Sequence, residues 1–275
     1  MRFRRALLAG LAGGMLFAGM ASAQLTGAQQ KCIDNYNNKL RLVSQQAGKS
    51  ATACVKAATT GDEANAEACV VNNPDGKIDA KEQKVSDLFG PGTKCDPVPP
   101  VIVKPAAIGN AAHVSAITRL MHEFFGNPMG VISTAKMDAK CLNKTVQRAT
   151  QAFTEIIKQH RACKKAGLKG GTVTSNASLL AACGTFPLLD ASGKAAAKLD
   201  KLDADVESTC AQPGIDLAAL FDGLPPACHG TAAALSGCVV AHTRCRACIA
   251  LNYADSQTMS CDTMDDGAAN LSCLP

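Results

Sequence analysis

Four cysteines, Cys32, Cys54, Cys69 and Cys95, are echoed by Cys141, Cys163, Cys183 and Cys210. The first gap is 22 positions in both sets, and the last is 26 against 27. The flanking residues repeat as well. Lys31-Cys32 and Lys140-Cys141 open the two stretches, and Gly76-Lys77 and Gly193-Lys194 sit in their second halves. The pattern reads as an internal duplication of a cysteine-clamped unit, and such a repeat constrains the fold before any single motif does.

Cys32, Tyr36, Leu40, Val43, Ala47, Ala51, Cys54 and Ala58 recur at steps of four and three, which is the period of one helix face. The equivalent positions of the second unit are Cys141, Thr145, Ala149, Ala152, Ile156, His160, Cys163 and Gly167, a poorer stripe with the same period. Two cysteines 22 positions apart on such a helix share a face yet stand about 33 Å apart, at a rise of about 1.5 Å per residue. Neither can bond the other, so each must meet a partner on a returning chain. The returns also carry a helical pattern: Ile78, Val85, Leu88 and Phe89 before Gly90-Pro91-Gly92, and Ala195, Leu199, Leu202, Val206 and Cys210 after Gly193. Antiparallel helices clamped at both ends predict nested bridges, Cys54–Cys69 inside Cys32–Cys95 and Cys163–Cys183 inside Cys141–Cys210. A hairpin of about 70 residues buries too little apolar surface to stand comfortably without such staples.

The chain divides into five segments. Residues 1–23 read as a signal peptide: Arg2, Arg4 and Arg5, then the apolar run Ala6 to Met20, then Ala21-Ser22-Ala23 as a small-residue cleavage site. Repeat 1 occupies 24–96. Residues 97–139 hold a stiff linker marked by Pro97, Pro99, Pro100 and Pro105, and an amphipathic helix from Ala106 to Phe125. Its apolar positions are Ile108, Ala112, Ile117, Leu120, Met121 and Phe124. Repeat 2 occupies 140–212. A compact module, 213–275, holds a short helical turn at Leu217 to Phe221, a helix from Leu235 to Tyr253, and Cys228, Cys238, Cys245, Cys248, Cys261 and Cys273. Six cysteines admit 15 pairings, and spacing does not select one. No strand alternation is visible, so the expected class is all-α: two disulfide-clamped antiparallel hairpins plus a cysteine-rich helical tail.

Removing residues 1–23 takes away three arginines and no acid, leaving 25 basic residues against 23 acidic, or +2 instead of the +5 of the whole chain. With no Trp and two Tyr, neither the basic face nor the stacking platforms of a nucleic-acid binder are present. No stretch of the mature chain reaches the roughly 20 apolar residues a membrane span needs. All 14 cysteines lie after the cleavage site, an even number that reads as a disulfide framework in a secreted or periplasmic protein.

The cysteine spacing combines with the run Arg161-Ala162-Cys163-Lys164-Lys165-Ala166-Gly167-Leu168-Lys169-Gly170-Gly171 and an ending from Cys261-Asp262-Thr263-Met264-Asp265-Asp266-Gly267 to Cys273. Together they resemble an uncharacterised group of exported, cysteine-rich helical repeat proteins of deltaproteobacteria-like bacteria. The resemblance is strongest from about Ala106 to Cys273. It implies a bacterial, exported, disulfide-bonded protein and carries no activity or site residues with it.

Three features invite a chemical reading. Setting Gly76 at the sixth place of a calcium loop puts Asn73 third, Asp75 fifth, Asp79 ninth and Glu82 twelfth, but Val71 stands where the first carboxylate belongs. The same residues also read as a glycine turn followed by acids at a helix start. Asp262, Asp265, Asp266 and Asn270 gather oxygens that suit either a hard cation or an ordinary turn. Cys245-Arg246-Ala247-Cys248, with His242 nearby, suggests a redox dithiol or zinc, although structural bridges fit its mid-helix place among four other cysteines better. His160 replaces Ala51 on the repeat's apolar stripe and reads as a satisfied, partly buried histidine. Asp200, Asp203, Asp205 and Glu207, beside Lys198 and Lys201, read as a solvated helix face. No nucleophile, base and orienting group fall into a catalytic pattern. The expectation is therefore a non-enzymatic structural or interaction protein of the cell envelope or exterior. It needs no cofactor and its partner is an unknown protein or envelope component. A calcium-dependent binding module and a thiol–disulfide oxidoreductase are the alternatives.

Overall fold

The computed structural model describes residues 25–99, 103–130, 132–270 and 272–273. The expected signal peptide and the middle of the expected proline linker lie outside them. The fold is all-α, with no strand among the described residues.

Helix α1 (Gly27–Thr60) begins on a capping box in which Thr26 Oγ1 accepts from the Gln29 backbone and the Gln29 side chain accepts from the Thr26 N–H. It ends on Gly61, whose φ of 80° suits a residue without a Cβ. All eight positions of the expected stripe, Cys32 to Ala58, are buried. The return comes in two pieces, α2 (Ala66–Asn72) and α3 (Lys77–Ser86). α3 stops three residues short of the expected Phe89. Leu88 O instead accepts from Cys95 N and Thr93 Oγ1, folding the chain back on itself.

Helix α4 (Ala106–Phe125) has the expected bounds. Five of its six expected core residues are buried, but Ile108 is 45% exposed. Helix α5 (Lys136–Lys169) repeats the length of α1 and carries more than the poor stripe expected of it. Leu142, Val146, Phe153 and Ile157 form a second buried face beside the first. The reason is position: α5 packs on α1, on α8 (Lys194–Cys210) and on α10 (Ala232–Asp255), so it is covered from several sides. Short helices α6 (Asn176–Cys183) and α7 (Phe186–Leu189) fill the turn between α5 and α8. α9 (Leu217–Leu220) and a 3-10 turn, Pro226–His229, lead into α10, and α11 (Cys261–Asp265) follows it.

The four nested bridges have the expected connectivity. Their Cα separations are 4.9 Å for Cys32–Cys95, 5.6 Å for Cys54–Cys69, 4.9 Å for Cys141–Cys210 and 6.1 Å for Cys163–Cys183. In the tail the pairs are Cys228–Cys238, Cys245–Cys273 and Cys248–Cys261, so α10 is tied to the turn before it and to the chain after it. On the loop-entropy account, bridges closing loops of 10 to 69 residues each disfavour the unfolded chain by about 3 to 4 kcal/mol.

The two hairpins meet through α1 and α5, which run antiparallel. Asp34 near one end pairs with Arg161 at 2.8 Å and Lys165 at 3.0 Å, and Asn143 near the other donates to Thr59 Oγ1 at 2.9 Å. Between them Gly48 faces Thr150 so closely that a Cβ there would stand 2.9 Å from the threonine Cβ. One hydrophobic core runs from Cys32 to Met264 and draws on both hairpins, α4 and the tail. The sequence segments are thus parts of a single packed body. No helix of the described residues is long and apolar enough to cross a membrane.

Candidate functional site

Helices α4 and α10 pack antiparallel, and their outward faces form a groove. The period selects the residues: Ile108, Ala111, Ser115 and Arg119 climb α4 in steps of three and four, while Arg246, Ile249 and Tyr253 do the same on α10. The cavity they line is about 300 Å³. Past Ser115, Arg119 and Arg246 it opens into a wider hollow of about 920 Å³ reaching Glu82, His122 and Glu123. Ile108 and Tyr253 (56% exposed) are its apolar lips.

One wall is fixed from behind. Glu123 Oε1 accepts from Arg246 Nε at 2.6 Å and from Nη2, while Oε2 lies 3.0 Å from His242 Nδ1. Burial pushes the Glu123 carboxyl up, but the hydrogen bonds and charges of His242 and Arg246 outweigh it and hold the group below the usual carboxylate range. The adjacent His122 turns the other way and meets Glu67 of α2 at 2.9 Å through Nε2. Arg246 is 8% exposed, and its Nη1 has no hydrogen-bond partner.

A second polar group is sealed inside. Lys164 of α5 and Asp255 of α10, 1% and 0% exposed, form an ion pair at 2.7 Å. His160 Nδ1 lies 3.7 Å from the other carboxylate oxygen, and His160 Nε2 has no partner. Above them His113 of α4 bonds Ser44 of α1 through Nδ1. His160 is therefore fully buried and only half satisfied, unlike the partly buried, satisfied residue expected. Burial drives both imidazoles down to about 4 against the pull of the Asp255 charge, so they are neutral. Burial also holds the Lys164 ammonium below the ordinary lysine range despite that carboxylate. None of these residues lines the groove. The cluster pins α5 to the last turn of α10, and its four side chains are buried.

The residues singled out by motif serve as local anchors. Asn73 Nδ2 donates to Asp79 Oδ1 at 3.0 Å, and Asp75 takes the Lys77 backbone N–H at 3.0 Å and its Nζ at 2.9 Å. With Asn73 and Gly76 both in the left-handed region, these groups build the turn into α3. The Glu82 carboxyl, raised by burial and by Asp79, faces the wide hollow instead of that turn. In the tail, Asp265 accepts from Ser272 Oγ at 2.7 Å, Asp262 from Cys273 N at 3.2 Å, and Asp266 from Ala268 N and Asn270 Nδ2. Among the described residues no group of three or more His, Cys, Asp or Glu gathers as a metal site. Cys245 and Cys248 point to different partners and are 2% and 0% exposed. Of the charged stretch on α8, Asp205 pairs with Arg148 of α5.

Comparison with protein-family profiles, with curated proteins and with solved structures returns no match. Sequence reasoning missed the groove and the buried pair. Ile108 was the available signal: its place on the inner stripe hid that it sits near the start of α4, where α10 covers only one side.

Two outcomes follow from the sealed cluster. Lys164→Met leaves Asp255 charged and uncompensated and is expected to cost about 3–5 kcal/mol in urea unfolding, while adding Asp255→Leu recovers most of that loss. The histidines set the acid response. With unfolded values of about 6.5 and folded values of about 4, only the unfolded chain takes up protons as pH falls through that window. Stability is full above about pH 6.5 and falls by about 1.4 kcal/mol per pH unit per histidine below it. Replacing both, His113→Gln and His160→Gln, flattens the slope between pH 6.5 and 4.

Proposed function

We propose that the chain is an exported, non-enzymatic recognition module whose α4–α10 groove is the binding face. One observation carries the reading: all 14 cysteines are joined in seven bridges, including both members of the CxxC. A framework of this kind fits an oxidising compartment, secreted or periplasmic. It also leaves no thiolate for exchange chemistry, which speaks against the oxidoreductase alternative.

The recognition role is supported by rigidity together with an open face. α10 is held by three bridges and α4 is packed against α10 and α1, so the groove walls lose little freedom on binding. Tyr253 and Ile108 offer aromatic and aliphatic anchors at its lips. The basic start and apolar run within residues 1–23 support export, and the matched cysteine sets support origin by internal duplication.

A photo-crosslinking amino acid in place of Tyr253 tests the reading in the native envelope or culture fluid. One discrete adduct is expected at position 253 and none at Leu188, an exposed apolar residue at 47% on α7. No adduct at 253, or the same adducts from both positions, contradicts a binding face on α4 and α10.

A further inference from the structure

We infer that the N-terminal half of α4, residues 106–116, is an acid-released latch that leaves the frame while the C-terminal half of the same helix stays docked. The release stands on the fold alone. Its consequence for ligand binding rests on the recognition reading above and names a regulation of that groove.

The disulfide frame leaves this segment to non-covalent contacts. Among the described residues α4 is the one helix longer than ten residues that carries no cysteine, and none occurs between Cys95 and Cys141. Its two halves are held very differently. Ile117, Leu120, Met121, Phe124 and Phe125 are sealed in the core, and Phe125 stacks on Phe221 with ring centroids 5.8 Å apart. On the same half His122 pairs with Glu67, and Glu123 with His242 and Arg246. The first half buries only Gly109, Asn110, Ala112, His113 and Ala116. Such small side chains remove little apolar area from water, and glycine and asparagine are weak helix formers. Pro105, at the N-cap, supplies no side-chain hydrogen bond. Asn110 Nδ2 donates to Glu82 O at 3.2 Å, His113 Nδ1 meets Ser44 Oγ, and Gly109 lies against the Tyr36 hydroxyl.

Protons act on the weaker half. Behind it lie Ser44 and Tyr36 from α1, His160 and Lys164 from α5, and Asp255 from α10, whose charge reaches both histidines and the tyrosine. That carboxylate is already paired with Lys164 at 2.7 Å, so a proton on either imidazole adds an uncompensated charge to a buried site. Burial drives His113 and His160 down to about 4, whereas a released His113 returns to about 6.5. A base whose docked value lies below its free value favours the free form as pH falls, here between about 6.5 and 4. Glu82 of α3, raised by burial and then by Asp79, works the other way at the acid end of that window. At the far half Glu123, despite its burial, is held below the usual carboxylate range by His242 and Arg246, so that anchor stays charged. Ile108, Ala111 and Ser115 of the released half line the narrow part of the groove, and release removes that wall.

Hydrogen exchange of the purified protein, its seven bridges verified by mass, is followed at pH 7 and pH 5 and normalised to the intrinsic rate at each pH. The amides of residues 109–116 are expected to lose about twentyfold or more in protection, the effect of one histidine protonated only on release. Those of residues 117–125, α1 and α5 are expected to change by less than about threefold, as for a local opening. The double variant His113→Gln, His160→Gln is expected to abolish the loss, and His122→Gln, at the clasped end, to keep it. Unchanged protection at pH 5 overturns the latch, as does an equal loss in both halves of α4 or a full loss in the double variant. Should the double variant not fold, the comparison of the two halves in the unaltered protein still decides. None of these results bears on the binding face, which fails only with the crosslink at position 253.

Discussion

A helix of 34 residues that carries cysteines 22 positions apart cannot close on itself, because its own rise holds the sulfurs about 33 Å from each other. Each sulfur needs a returning chain, and the return must run the full length of the helix to serve both. That requirement shapes α1 with α2 and α3, and α5 with α6 and α8. It also frees the core from having to be large. The chain has no tryptophan and only eight phenylalanines, and several of its helix faces are built from alanine. Such faces bury little area per residue, at about 25 cal/mol per Å² of apolar surface. Covalent ties at the helix ends make up for thin packing by penalising the unfolded chain.

The same economy explains the tail. α10 enters between α4, α5 and α8 and supplies the last wall of the core. Its three cysteines are bridged to flanking chain on both sides. The Lys164–Asp255 pair then specifies where its C-terminal turn rests. Buried pairs of this kind add little net stability when intact and cost much when half removed, so their effect is to exclude misplaced registers of α10. A shifted helix would strand a lysine in the core.

Rigidity of the frame is what gives the groove its value. Arg246 is held by Glu123, Glu123 by His242, and α4 by Glu67 through His122. The groove wall is thereby fixed by the fold itself, which under the recognition proposal lowers the ordering cost of binding.

Much of the frame was legible in the chain, and for one reason: cysteine pairing between helices of fixed rise is nearly a geometric problem. The bounds of α4 and the faces of α1 and α8 followed from period alone. The tail pairing was not legible, because a choice among 15 connectivities depends on which way α10 faces the core. α2 escaped notice because seven residues give no period to count. Lys164 and Asp255 stand 91 positions apart in stretches that look like surface, so neither announces its partner. The side chains after Asn73 build the turn into α3, and a helix start calls for the same residue types as an ion loop, so their spacing alone does not separate the two readings. The measurement that bears most directly on the whole account is non-reducing peptide mapping of the purified protein by mass spectrometry. The account predicts seven bridges, with Cys245 joined to Cys273 and Cys248 to Cys261, and no alkylatable thiol in the folded state. A Cys245–Cys248 bridge, or folded protein whose cysteines are largely reduced, would contradict it.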